Sequence, residues 1–190
     1  ADDVGYTELG SYGGGKIRGA PTPSLDQMAR EGMRFLTFYS EVECSPSRGA
    51  LMTGRHPIRN GLYNITLPGE TGSGLSGEEV TTAEILSSAG YYTGHFGKWH
   101  MGGQRDVTDA PEISNYGFHQ SLTNFEGIGP KLLPLTLKPN PKGGDPIVGK
   151  IWADAERLGE GFQWMQRSEI TTGFVDEALK FIDQSQADQR

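Results

Sequence analysis

Two stretches of the chain carry the same succession of signals. In APTPSLDQMAREGMRF, Thr22 suits a helix N-cap, Pro23 the first helical position and Gly32 the stop. Leu25, Met28 and Ala29 make its apolar face, and MRFLTFYS behind it reads as a strand rich in aromatics. In VTTAEILSSAGYYTGHFGKWHMGG, Thr81 and Glu84 form a capping box, Gly90 ends the helix and YYTGHFG is the next strand. Helices that alternate with strands predict an α/β fold with a mainly parallel sheet. In such sheets chemistry gathers at the C-terminal ends of strands. Asp2 with Asp3, Cys44, and the run Lys98-Trp99-His100 all fall at such ends or just past them.

The rest of the chain is punctuated by glycine and proline. Residues 45–53 read as a short helix ending at Gly54, with Cys44 at its start, and LPGETGSGLSGEE as a Gly-rich surface loop. Residues 103–150 are loop-rich, with Pro111, Pro130, Pro134, Pro139, Pro141 and Pro146. Near the end, Ile170, Phe174, Ala178, Phe181 and Ile182 share one helical face. The chain opens on ADDVGY, which reads as the end of a strand, and closes just after that helix. A fragment cut at both ends is the expectation.

Size and charge bound the function. A chain of 190 residues can bury a sizeable core. Its net charge of -7 argues against a nucleic-acid partner, which would call for a basic face. An anionic substrate would have to be held by local cations. No stretch approaches the ~20 consecutive apolar residues of a membrane span. The single cysteine cannot form an internal disulfide.

Several local patterns carry chemistry. GSYGGGKI matches a phosphate-binding loop except at Ile17, where Ser or Thr would ligate magnesium, so it reads as a plain Gly-rich loop. Cys44 stands among small polar residues and a proline at a helix N-terminus, where the dipole is positive, and Arg48 adds a planar cation one turn on. That setting suits an anion, although a lone cysteine is more commonly structural. Asp2 and Asp3 can converge on a hard cation past a strand end, or one of them can simply face solvent. Lys98 and His100 share a face if extended, which suits an anionic ester or only a wet surface. His56, His95 and His119 read as structural or solvent-facing, and Trp99, Trp152 and Trp164 as core rather than sugar-stacking.

Taken together, these segments resemble the N-terminal part of a type I sulfatase. CSPSRGALMTGR matches the C-x-P-S-R signature with its trailing T-G-R, and GYYTGHFGKWHMG matches G-Y-x-T-x-x-x-G-K-x-H. ADDVGY resembles the first metal-binding block, and PTPSLDQMAREGMRF the helix and strand that follow it. The likeness runs in order from residue 1 to about 103, and more weakly through NYGFHQSLTNF and the last helix. RNGLYNITLPG is similar in style to bacterial arylsulfatase-like members.

The resemblance implies an alkaline-phosphatase-like sandwich, present only in part. Residues 1–190 would be the N-terminal portion of the catalytic domain, with a loop-rich insertion at about 103–165. The remaining catalytic domain and C-terminal subdomain would lie elsewhere. It implies that a formylglycine-generating or sulfatase-maturing enzyme reads Cys44, Pro46 and Arg48 in the unfolded chain and oxidises Cys44 to formylglycine. The hydrated aldehyde would then attack the sulfur of a sulfate ester beside calcium. Asp2, Asp3 and position 44 would be calcium ligands. Arg48 would stabilise the diol, Lys98 would bridge it to sulfate, and His100 would assist sulfate release. The substrate would be a sulfated small molecule or glycan, and the location periplasmic or secreted.

Two other readings stay open: a phosphonate or phosphodiester hydrolase of the same superfamily, and a non-catalytic truncated homologue. The family's later calcium ligands, leaving-group acid and second sulfate-binding lysine are not identifiable here. The 190-residue chain by itself is therefore expected to be inactive and to bind calcium poorly. Calorimetry with calcium measures this, and tight binding would contradict it.

Overall fold

The computed structural model describes residues 4–18, 20–67, 70–103, 110–124, 152–157 and 161–188. They belong to two compact units, Ala1–Ser40 and Glu41–Arg190.

In the first unit, 3-10 turns at Tyr6–Glu8, Gly10–Tyr12 and Gly15–Arg18 precede helix α1, Pro23–Glu31. Thr22 and Gly32 flank α1 as the sequence predicts. Polar ties hold it. Thr22 Oγ1 accepts from Gly10 N at 2.9 Å and donates to Asp26 Oδ1 at 3.0 Å, and Asp26 Oδ1 also accepts from Ser11 N at 2.7 Å. The apolar face is not buried: Leu25 and Met28 are exposed. MRFLTFYS forms no strand among the described residues; Phe35, Leu36, Phe38 and Tyr39 are all exposed. A strand exists only when another backbone pairs with it, and side-chain propensity cannot supply that partner.

The second unit starts with α2, Cys44–Thr53, closed by Gly54 in the left-handed conformation. The short helix α3, Pro57–Asn60, follows. Helix α4, Thr82–Ser88, has both halves of the predicted capping box: Glu84 N donates to Thr81 Oγ1 at 3.2 Å, and Thr81 N to Glu84 Oε2 at 2.8 Å. Strand β1, Gly94–Lys98, pairs in parallel with β2, Gln120–Asn124. Strands β3, Trp152–Arg157, and β4, Gly161–Gln166, extend the sheet antiparallel, in the order β1-β2-β3-β4. These last strands and β2 lie inside the segment read as loop-rich. Helix α5, Arg167–Ala187, follows directly.

Alternation in β1 divides what its two faces bury. Phe96 meets α5 through Phe181, whose ring also stacks on Tyr92 at 5.2 Å. Within α5, Ile170 is fully buried, Phe174, Ala178 and Phe181 are half-buried, and Ile182 is exposed. On the other side lies a core of Leu62, Leu75, Trp99, Met101, Ile113 and Tyr116, with Met52 and Phe118 against it. Trp99 is thus core, as expected; the side chains of Trp152 and Trp164 lie outside the described residues. The Gly-rich segment before α4 is not wholly a surface loop. Leu75 is buried in this core, and its N–H donates to the Met101 carbonyl at 2.7 Å.

The turn before β2 locks onto the start of α4. Thr81 Oγ1 donates to the Tyr116 carbonyl at 2.7 Å, and Tyr116 Oη donates to the Leu75 carbonyl at 2.5 Å. Burial, then Glu84 and Glu112, hold the Tyr116 phenol above its ordinary range. Gly117 has φ 84°, and a Cβ there would sit 2.4 Å from Glu84 N. Gly117→Ala is expected to destabilise the protein by about 3 kcal/mol, combining left-handed strain with a backbone clash. Denaturant unfolding measures this; a loss under about 1 kcal/mol would show that the turn yields easily.

Candidate active site

Cys44 is the first residue of α2, half-buried, with a free thiol. Glu43 precedes it in extended conformation, and its side chain makes no cap. The first-turn N–H groups and the helix dipole therefore favour negative charge near position 44. Ser45 and Pro46 behind it are buried and anchor the turn. Ser47 Oγ donates to the Glu41 carbonyl at 3.0 Å, which ties the approach to the helix.

Arg48 lies one turn further along. Its Nη1 donates to the Lys98 carbonyl at 2.6 Å, so the α2 guanidinium is held at the last residue of β1. A charge-assisted bond of that length fixes the plane of the fork. Trp99 N donates to the Asn124 carbonyl at 2.9 Å, carrying the β1–β2 ladder one step past Lys98. His100 follows with φ 56° and is buried. Its Nε2 lies 3.0 Å from the Thr66 carbonyl, and Thr66 N donates to Ser45 Oγ at 3.0 Å.

Two ties therefore join the start of α2 to the end of β1: Arg48 to Lys98 directly, and Ser45 to His100 through Thr66. The residues singled out in the two sequence signatures lie on these joined elements: Cys44 and Arg48 on α2, Lys98 and His100 at and just past the end of β1. Asp2 and Asp3 lie outside the described residues. Among the described residues no three His, Cys, Asp or Glu side chains gather to hold a metal. Position 44 is the one candidate ligand that the structure places. Beside it, Glu41, Glu43, Pro46, His56, Ile58 and Tyr63 border a cleft of about 540 Å³.

Two further features of this site come from the structure: Thr66, which the sequence reading passed over, and the setting of His95, which it read as structural or solvent-facing. Thr66 lies just before the segment read as a surface loop and was given no role, because its part in the site is carried by backbone groups. His95 stands in β1, its ring edge-on to Trp99 and to Phe118 at 5.4 Å each. Its Nδ1 is buried without a hydrogen-bond partner among the described residues. Burial, and then the Arg48 guanidinium, lower its pKa to about 4. All three histidines match expectation: His95 is structural, His56 is exposed, 3.0 Å from Glu41, and His119 packs on Tyr92.

The sign of the resulting pH dependence follows from proton counting. Between about 6.5 and about 4 the unfolded chain takes up a proton at His95 and the folded one does not. The contribution of neutral His95 is complete above that window and fades as pH falls through it. His95→Gln is therefore expected to flatten the acid side of the stability profile, read from urea midpoints between pH 7 and pH 4.5. An unchanged acid slope would assign the loss to other groups.

Comparison with known proteins shows the family. The Sulfatase family model matches residues 1–190. Human arylsulfatase A is 47% identical over 129 residues, 67% of this chain and 24% of that protein. Dog N-acetylgalactosamine-6-sulfatase is 36% identical over 200 residues, 100% of this chain and 36% of that protein. The crystal structure of a sulfatase from Pseudoalteromonas sp. superposes with a TM-score of 0.71 at 26% identity, over 98% of this chain and 40% of that one. The chain thus spans about a quarter to a third of the length of these curated relatives. Its helices and parallel strand pair are part of the alkaline-phosphatase-like α/β fold of those enzymes. The chain belongs to the sulfatase family.

Proposed function

We propose that this chain carries the nucleophile side of an active site that hydrolyses a sulfate ester to an alcohol and inorganic sulfate. The observation that carries the reading is the pair of ties joining the start of α2 to the end of β1. They support the reading because they tie the N-terminal turns of α2, with the Arg48 guanidinium, to the strand end that carries Lys98 and the buried His100 imidazole. Such a group of fixed cations and donors suits charge that develops on sulfate oxygens.

On this reading a maturation enzyme oxidises Cys44 to formylglycine, whose hydrate supplies the nucleophilic oxygen. Calcium supplies a Lewis acid, and Asp2, Asp3 and the oxygen at position 44 suit it as hard donors. The other residues act directly. Arg48, its fork fixed by the Lys98 carbonyl, holds negative charge at position 44. Lys98 offers its ammonium to a sulfate oxygen. His100 accepts the proton whose loss accompanies sulfate release. The substrate class is a sulfated small molecule or glycan; a relative aligned over the whole chain is named for a sugar sulfate. Residues 1–190 act as the N-terminal portion of a catalytic domain, in an exported protein.

The test uses the complete protein made with a maturation enzyme. The tryptic peptide FLTFYSEVECSPSR is expected to carry the mass of an aldehyde or its hydrate at Cys44. Arg48→Ala and Lys98→Ala are each expected to lower kcat on an aryl sulfate at least about a hundredfold. A thiol at Cys44, in cells that convert a control sulfatase, would overturn the reading. So would turnover of an aryl phosphodiester without turnover of the sulfate.

A further inference from the structure

His100 is the only non-glycine with positive φ among the described residues, at 56°. The left-handed conformation costs an L-residue about 1–2 kcal/mol. It persists where surrounding contacts over-determine the residue. One of those contacts is with Thr66. A carbonyl can only accept, so His100 Nε2–H donates to the Thr66 carbonyl across 3.0 Å. Thr66 is gripped from its other side as well. Its N–H donates to Ser45 Oγ at 3.0 Å, and its Oγ1 donates to the Ser73 carbonyl at 3.1 Å. Ser45 and Thr66 are both fully buried, and His100 nearly so. Water does not compete for these bonds, and losing one would strand a buried polar group.

Ser45 adjoins Cys44 on the first turn of α2. One residue is therefore held at its N–H by the neighbour of position 44 and at its carbonyl by His100. We propose that Ser45 and Thr66 form a positioning bridge that sets the His100 imidazole relative to position 44 and fixes its tautomer. The proton sits on Nε2, and Nδ1 is the acceptor nitrogen turned to the reacting hydroxyl. Neither Ser45 nor Thr66 touches substrate; both act through His100. The bridge rests on the assignment of His100 to the reacting centre. Thr66 works through its backbone, so its side chain can change while the bridge stands.

The experiment uses the complete, matured protein with 4-nitrophenyl sulfate as probe. Ser45 lies within the segment that the maturation enzyme reads, so rates are taken per converted molecule, counted from the mass of the Cys44 peptide. Ser45→Ala is expected to lower kcat roughly tenfold to a hundredfold with little change in KM, the loss expected from a misplaced catalytic group. Ser45→Thr, which keeps an Oγ, is expected to recover most of kcat. Thr66→Val, which keeps both backbone groups and loses only the Oγ1 bond to the Ser73 carbonyl, is expected to lose much less kcat than Ser45→Ala. Nitrogen-15 NMR of the parental protein is expected to show His100 protonated on Nε2.

Protonation on Nδ1 would overturn the bridge, as would a fully converted Ser45→Ala enzyme running at the parental kcat. A Thr66→Val loss as large as that of Ser45→Ala would overturn it by pointing to packing instead. If His100→Ala leaves kcat unchanged, the assignment of His100 falls and the bridge with it. If His100→Ala abolishes turnover while Ser45→Ala is harmless, the bridge alone falls.

Discussion

The bond from Arg48 Nη1 to the Lys98 carbonyl is the constraint on which the site's geometry depends. A guanidinium has five donors in a rigid plane, so fixing one of them restricts the direction of the rest. The carbonyl it uses belongs to Lys98, the last residue of β1. The same contact brings the main chain of Lys98 and the first turns of α2 together. Elements fifty residues apart in sequence thereby meet at one place.

The core explains why that junction is firm. Trp99 stands between the two polar signature residues Lys98 and His100 and is fully buried among Leu62, Leu75, Met101 and Tyr116. Burying such a ring orders the backbone on both sides of it. Gly49 lets α2 approach the same layer, because a Cβ there would meet Leu62 Cδ2 at 2.9 Å. His95 completes the arrangement behind Arg48. An imidazole kept neutral leaves the guanidinium as the nearby positive charge, whereas a protonated one would repel it.

Much of this was legible from residue order because it is local. The bounds of α1, α2 and α4 follow from Thr22, Pro23, Gly32, Gly54, Thr81 and Glu84, whose effects reach only one turn of backbone. The Cys44 and Lys98-Trp99-His100 signatures were equally plain, since their spacing is itself the signal. Strand β2 was not legible. Its residues, QSLTN, have little strand character, and it exists through parallel pairing with β1. Leu75 was hidden for the opposite reason, because glycine-rich surroundings suggested solvent where the structure buries it.

The sequence by itself determined the family, the helix ends and the residue types at positions 44, 48, 98 and 100, because each depends on nearest neighbours or on a spaced motif. Only the tertiary structure decided that Arg48 reaches the Lys98 carbonyl, that Thr66 joins Ser45 to His100, and that His95 lies buried behind the guanidinium. These are contacts between segments far apart in the chain, made largely by backbone atoms that every residue possesses. A side-chain pattern carries no record of which carbonyl will be free to accept, so that information appears only when the elements pack.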